Sequence, residues 1–135
     1  MRRHHIGVAV SSLEKAIAFY EESLSYRLVS GPFEDPIQRV CVCFLQQEGS
    51  DGLLLELISP LGEKSPAHSL IKRQVGAYHV CYEVDDVEEA LLRLREHKCQ
   101  VVGRPAPAVA FSGRRIAWCY TPTHQLIELL ERRAA

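Results

Sequence analysis

The chain has 135 residues, 47% of them apolar, and a formal net charge of −1, which suits one compact domain or two small modules sharing a core. Lys and Arg are scattered, so nothing marks an electrostatic footprint for DNA or RNA. No apolar stretch is long enough to span a bilayer, and Met1-Arg2-Arg3-His4-His5 carries no cleavable signal pattern, so a cytoplasmic protein without a membrane partner is expected.

The first predicted element is a strand over 4–10, with His5, Gly7 and Ala9 on one face and Ile6, Val8 and Val10 on the other. A helix should follow, with Ser11 and Glu14 placed for a capping box. Its apolar stripe is Leu13, Ala16, Ile17, Tyr20 and Leu24. Strands are expected at 26–31, 38–46 and 52–59, separated by turns at Gly31-Pro32 and at Glu48-Gly49-Ser50-Asp51-Gly52. A connector over 61–76 holds Ser65-Pro66, which reads as the cap and first position of a short helix.

The second half repeats the first. His79-Val80-Cys81-Tyr82-Glu83-Val84 lies 74 positions after His5-Ile6-Gly7-Val8-Ala9-Val10. A strand at 77–84 and a helix at 86–97 follow, the helix capped by Asp85-x-x-Glu88 or Asp86-x-x-Glu89, with Val87, Ala90, Leu91 and Leu94 as its stripe. Strands are expected at 99–103, 113–120 and 124–131, and Gly103-Arg104-Pro105-Ala106-Pro107 reads as a loop or an edge. The unit is β-α-β-β-β, used twice: a single domain over 1–135 made of module one at 4–60, the connector at 61–76 and module two at 77–131, followed by a fraying tail at 132–135. The fold class is α+β, with two modules whose concave faces meet across a cleft.

Five cysteines (Cys41, Cys43, Cys81, Cys99 and Cys119) sit mostly inside these strands. Cys41 and Cys43 share a strand face, but no second pair at that spacing completes a zinc site, so all five are read as small buried apolar residues. A disulfide framework is not expected in a reducing compartment.

Each copy also closes on a glutamate inside an apolar run: Leu54-Leu55-Glu56-Leu57 and Leu126-Ile127-Glu128-Leu129. A charged carboxylate buried between leucines without a partner costs several kcal/mol. Any one of His5, Glu56, His79 and Glu128 could be an ordinary strand residue, but accidents would have to recur in register. Facing one cleft, the four could hold a divalent metal: two neutral imidazoles and two carboxylates suit Zn, Ni, Co, Mn or Fe, and two anions offset the dication. Four ligands leave room for water or two substrate oxygens. His4 is assigned to the opposite face from His5 and left out, and His68, His97 and His124 have no repeat partner and read as surface residues.

These segments resemble the vicinal oxygen chelate superfamily of glyoxalase I, extradiol dioxygenases and bleomycin- and fosfomycin-resistance proteins, over about His4 to Glu131. Within it they look most like methylmalonyl-CoA epimerase, through His5-Ile6-Gly7-Val8-Ala9-Val10, Ala18-Phe19-Tyr20, Leu55-Glu56-Leu57-Ile58-Ser59-Pro60-Leu61, Ser65-Pro66, the Tyr78–Asp86 block and Leu126-Ile127-Glu128-Leu129. The resemblance implies the glyoxalase/bleomycin resistance/dioxygenase fold, a metal on His5, Glu56, His79 and Glu128, and a homodimer. It also implies a small-molecule substrate, an acyl-CoA thioester, whose enolate is stabilised while carboxylates move the α-proton.

The chain departs from the epimerase pattern in two places. A non-ligand acid/base glutamate would fall near Val42, where no carboxylate stands; Glu34, Asp35 and Glu48 lie nearby, and Glu83 is a further candidate at the rim. The Tyr120-Thr121-Pro122-Thr123-His124-Gln125 loop is also shorter than the family's. Glu128 is then the catalytic candidate, as a ligand that detaches to act as base in the glyoxalase manner. Arg114, Arg115, Lys72 and Arg73 are possible contacts for a substrate anion. The leading expectation is a metal-dependent isomerase or epimerase. The alternatives are glyoxalase I (a lactoylglutathione lyase) and a non-enzymatic binding or resistance protein; an iron extradiol dioxygenase fits less well.

Overall fold

In the computed structural model, which describes residues 1–132, the chain order is β1 (Arg2–Ala9), α1 (Leu13–Ser23), β2 (Tyr26–Asp35), β3 (Val40–Gln47) and β4 (Leu54–Pro60). After α2 (Ala67–Lys72) come β5 (Ala77–Val84), α3 (Val87–Glu96), β6 (Gln100–Pro107), a 3-10 turn (Val109–Phe111), β7 (Arg115–Tyr120) and β8 (Leu126–Glu131). The fraying expected at 132–135 falls mostly outside the described residues.

All eight strands form one mixed sheet in the order β2-β3-β4-β1-β5-β8-β7-β6. The order reads as a near mirror about its centre. β1 and β5 pair antiparallel there, and each pairs in parallel with the last strand of its own module, β4 or β8. Strand alternation then sorts side chains between two faces. Cys43, Leu45 and Leu57 pack under Leu13, Ala16, Ile17 and Tyr20 of α1. Ala117, Leu129 and Val84 pack under Val87, Ala90 and Leu91 of α3. Val42, Phe44 and Ile58 face the other way, as do Cys81, Ile116 and Leu130, and Phe111 touches both of these groups. That second face lines the cleft.

Several boundaries differ from the sequence reading. The cap of α1 is Ser12, which accepts from the Lys15 amide, so the helix starts one residue later than a Ser11 cap requires. Leu24 caps the C-terminus and is 42% exposed, outside the packed stripe. For α3 the Asp86 alternative holds, with the carboxylate accepting from the Glu89 amide. Gly31-Pro32 is no turn: a cis peptide sits inside β2, where the pairing with β3 shifts between Ser30 and Phe33. The Gly103–Pro107 segment continues β6, the outermost strand, where a missing amide donor costs no ladder bond. Before α2, the Ser65 hydroxyl accepts from the Ala67 amide, with Pro66 at the cap position. The five cysteines are free thiols, and Cys43, Cys81 and Cys119 are buried as expected; Cys41 and Cys99 are half-buried.

Candidate metal centre

The four adjacent central strands each contribute one side chain: Glu56 from β4, His5 from β1, His79 from β5 and Glu128 from β8. The pairing explains why they converge. His5 stands opposite Cys81 while Gly7 stands opposite His79, and each glutamate aligns with the residue two positions after a histidine, Glu56 with Gly7 and Glu128 with Cys81. Glu56, His79 and Glu128 line the cleft, His5 meets them fully buried, and all four are 6% exposed or less.

Their donor atoms meet at one point. His5 Nε2 lies 3.2 Å from Glu56 Oε1 and 3.0 Å from Glu128 Oε1; His79 Nε2 lies 3.4 Å from each. The two Nε2 atoms are 3.2 Å apart, and all four donors fall within 4.8 Å of one another. Glu128 Oε1 makes no hydrogen bond of acceptable geometry despite this crowding, nor does His79 Nδ1. Glu128 Oε1 is thus a buried lone pair at the point of convergence that a cation would satisfy. An N2O2 set of this kind fits a divalent transition metal.

The electrostatics point the same way. Burial alone would raise both glutamates, but His5 and His79 outweigh it and hold both below the ordinary carboxylate range. Burial would likewise depress the histidines, yet the facing carboxylates raise both, His5 the further. Four groups that must share charge inside a buried cluster have room to exchange protons for a dication.

Aromatic rings wall the imidazoles. His5 stacks on Phe111 at 5.9 Å and meets the edge of Phe44 at 5.5 Å; His79 meets Trp118 at 4.9 Å and Tyr78 at 4.5 Å. Phe44 stands opposite Glu56 and Trp118 opposite Glu128 in the sheet. Sequence reading missed both rings, although Trp118 follows Phe44 at the same 74-residue offset as the histidines. The cavity above is about 540 Å³, with apolar walls that include Val40, Val42, Ile58 and Leu70, and with Gln38, Ser69 and Arg73 among its polar lining.

The remaining sequence candidates lie apart from the donor cluster. Val42 is buried in the cleft wall, so no carboxylate occupies its place on β3. Glu34 and Glu48 are exposed. Asp35 reaches the cavity lining, but its oxygens accept from the amides of Ile37, Gln38 and Val109. Glu83 is engaged by Arg114 at 2.7 Å and by Arg132 at 3.5 Å. Arg115 binds Glu88 and Glu131. Of the four basic residues considered for a substrate anion, Arg73 alone lines the cavity. His68, His97 and His124 are exposed, as expected. His4 is a correction: it does not turn away from His5, because its Nδ1 lies 2.8 Å from His5 Nδ1.

The sequence matches the glyoxalase/bleomycin resistance protein/dioxygenase superfamily over residues 4–118. It is 32% identical over 121 residues to the ethylmalonyl-CoA/methylmalonyl-CoA epimerase of Cereibacter sphaeroides, a match covering 88% of this chain and 87% of that protein. The structure superposes on methylmalonyl-CoA epimerase from Mycobacterium tuberculosis with a TM-score of 0.84 and 29% identity, over 98% of this chain and 89% of that one. A methylmalonyl-CoA epimerase in complex with methylmalonyl-CoA and ammonium gives a TM-score of 0.80 and 26% identity, over 98% and 95% of the two chains. The duplicated sheet, the cleft and these matches together place the chain in the glyoxalase/bleomycin resistance protein/dioxygenase superfamily, among relatives that are methylmalonyl-CoA epimerases.

Proposed function

We propose that this protein is a metal-dependent epimerase of an α-acidic acyl-CoA thioester, methylmalonyl-CoA by analogy with its relatives. The observation that carries the reading is the buried His5–Glu56–His79–Glu128 cluster on the floor of a largely apolar cleft, in a chain whose relatives are epimerases. His5, Glu56, His79 and Glu128 would hold one divalent ion. Bound there, such an ion acts as a Lewis acid that lowers the cost of removing a proton beside a carbonyl.

The chain's own groups do the rest. Glu128 is the base in this reading: a carboxylate of the ligand set that would detach to take the α-proton. Glu56 is the second acid/base in this reading. It arrives from β4, on the opposite side of the β1–β5 pair from Glu128 on β8, so the two carboxylates approach the cluster from opposite modules. Tyr78 stays protonated, because burial, then Glu56 and Glu128, push its hydroxyl well above its usual value, so it is no base here. The apolar walls keep water from the carbanion, and Arg73 is placed to meet an anionic group of the substrate.

Each module brings one histidine and one glutamate, so residues 4–60 and 77–131, joined by the 61–76 connector, act as a single domain in this reading. A homodimer and a cytoplasmic location belong to the same proposal. Among the described residues no helix is long and apolar enough to cross a membrane.

One observation favours a second reading. Both carboxylates of the cluster belong to the candidate ligand set and Val42 supplies none, an arrangement that suits glyoxalase I, a lactoylglutathione lyase, equally well. Metal content by inductively coupled plasma mass spectrometry on wild type and Glu128→Ala comes first. About one divalent ion per chain in the wild type, lost in the variant, supports the site. Solvent deuterium entering methylmalonyl-CoA, abolished by EDTA and restored by Co or Mn, supports the epimerase. Turnover of the methylglyoxal–glutathione hemithioacetal instead selects the lyase, and absence of metal from both proteins points to a binding protein of the same fold.

A further inference from the structure

His4 is where the two halves of the site differ. In the β1–β5 pairing Arg3 faces Tyr82 and His5 faces Cys81, which leaves His4 as an extra residue in β1. A β-bulge of this kind re-aims a side chain that strict alternation would send to the other face. The result is a second imidazole beside the first: His4 Nδ1 to His5 Nδ1 is 2.8 Å. The His4 ring meets Phe111 edge-on at 5.5 Å and Phe44 edge-on at 6.4 Å. The same irregularity recurs in β5, where Gly7 faces His79 and Val8 faces Ala77, leaving Tyr78 unpaired. Tyr78 meets the His79 ring edge-on but gives it no hydrogen bond, and His79 Nδ1 is left without a partner.

His5 presents Nε2 to the carboxylates and to His79, and Nδ1 to His4. Two ring nitrogens in hydrogen-bond contact need one donor and one acceptor. When Nε2 offers its lone pair to a metal, the ring proton must reside on Nδ1, and a partner for that proton fixes both tautomer and ring orientation. Resting on the metal-site reading above, we infer that His4 is a positioning residue: its Nδ1 accepts the His5 Nδ1–H and so holds His5 Nε2 toward the cluster. His79 has no such support, so the two imidazoles are unequal ligands on an otherwise symmetric floor. Cys81 Sγ also lies within 4.8 Å of these nitrogens, but a thiol sulfur is a weak acceptor.

The test compares wild type, His4→Phe and His4→Asn. Phenylalanine keeps a ring against Phe44 and Phe111, while asparagine restores an acceptor near the Nδ1 position. Two readouts are taken: the Zn(II) dissociation constant by chelator competition, and the imidazole N–H protons of the 15N-labelled metal-free protein. His4→Phe should weaken Zn(II) by roughly 10- to 100-fold and lose the exchange-protected His5 Nδ1–H signal, and His4→Asn should recover both. His4→Met serves the same comparison should the phenylalanine variant not fold. Wild-type values in His4→Phe would overturn the inference. So would a loss that asparagine does not restore, which marks packing alone, or a protected proton that survives in His4→Phe, which assigns the acceptor to Cys81. If wild type takes no Zn(II), the metal reading fails separately and the N–H signal still decides what His4 does.

Discussion

Gly7 shows how tightly one position can be specified by a side chain on the neighbouring strand. It lies two residues after His5 on the cleft face of β1 and directly opposite His79, whose imidazole folds over it. A methyl group at position 7 would overlap the His79 ring at Cε1, Nδ1 and Nε2. Trp118 and Tyr78 wall the ring, so it cannot clear that methyl and keep Nε2 at the cluster. Gly7→Ala should therefore leave the sheet intact and swing His79 off the cluster, lowering metal affinity by at least about tenfold, the scale of losing one oriented ligand. Isothermal titration with Co(II), beside a far-ultraviolet circular dichroism spectrum, checks this. Retained affinity would mean that His79 does not bind in the orientation seen. The four cluster residues were legible from their repetition in register, but the roles of Gly7 and His4 were not. Alternation puts Gly7 on the histidine face without saying what covers it, and a bulge at His4 becomes visible only when both partner strands are known.

Among the elements, β2, β6 and the start of α1 resisted sequence reading for local reasons. Two serines precede α1, and only the register of its first turn selects Ser12. Prolines in β2 and β6 argue against a central strand but not against an outermost one, and these are the two outermost strands. β5 and β8 were placed correctly, and their far ends carry an ionic network that the sequence hid. The Arg114 hydrogen bond, then its charge and those of Arg132 and His4, hold Glu83 below its usual pKa against a modest burial penalty. A carboxylate depressed in the folded state adds stability that is complete above the unfolded glutamate value of about 4.3 and lost as pH falls through the folded value. Glu83→Gln removes the charge while keeping the shape. It should lower stability by about 1 kcal/mol at pH 7, and the gap from wild type should close as pH drops below about 4. Urea midpoints of the two proteins across that range test this, and a gap independent of pH would show that charge is not what Glu83 contributes.

For the whole molecule, the repeat sets where strain and stability must be shared. The two modules meet along the β1–β5 pair, and the Asp35 carboxylate reaches across to the Val109 amide at 3.4 Å. The candidate metal cluster straddles that seam, with His5 and Glu56 from one module and His79 and Glu128 from the other. A bound ion would thus add a cross-link between the two halves, and binding to the folded state alone would raise stability through mass action. At a free metal concentration one hundred times the dissociation constant the gain is about 2.7 kcal/mol, which corresponds to roughly 10 °C in Tm for a chain of this size. Differential scanning fluorimetry of the metal-free protein against increasing Zn(II) should show that shift. Glu56→Ala and Glu128→Ala should abolish it to the same degree, although they lie in different modules. If one variant kept the shift while the other lost it, the ion would belong to a single module, and the duplication would have a structural role without a shared site.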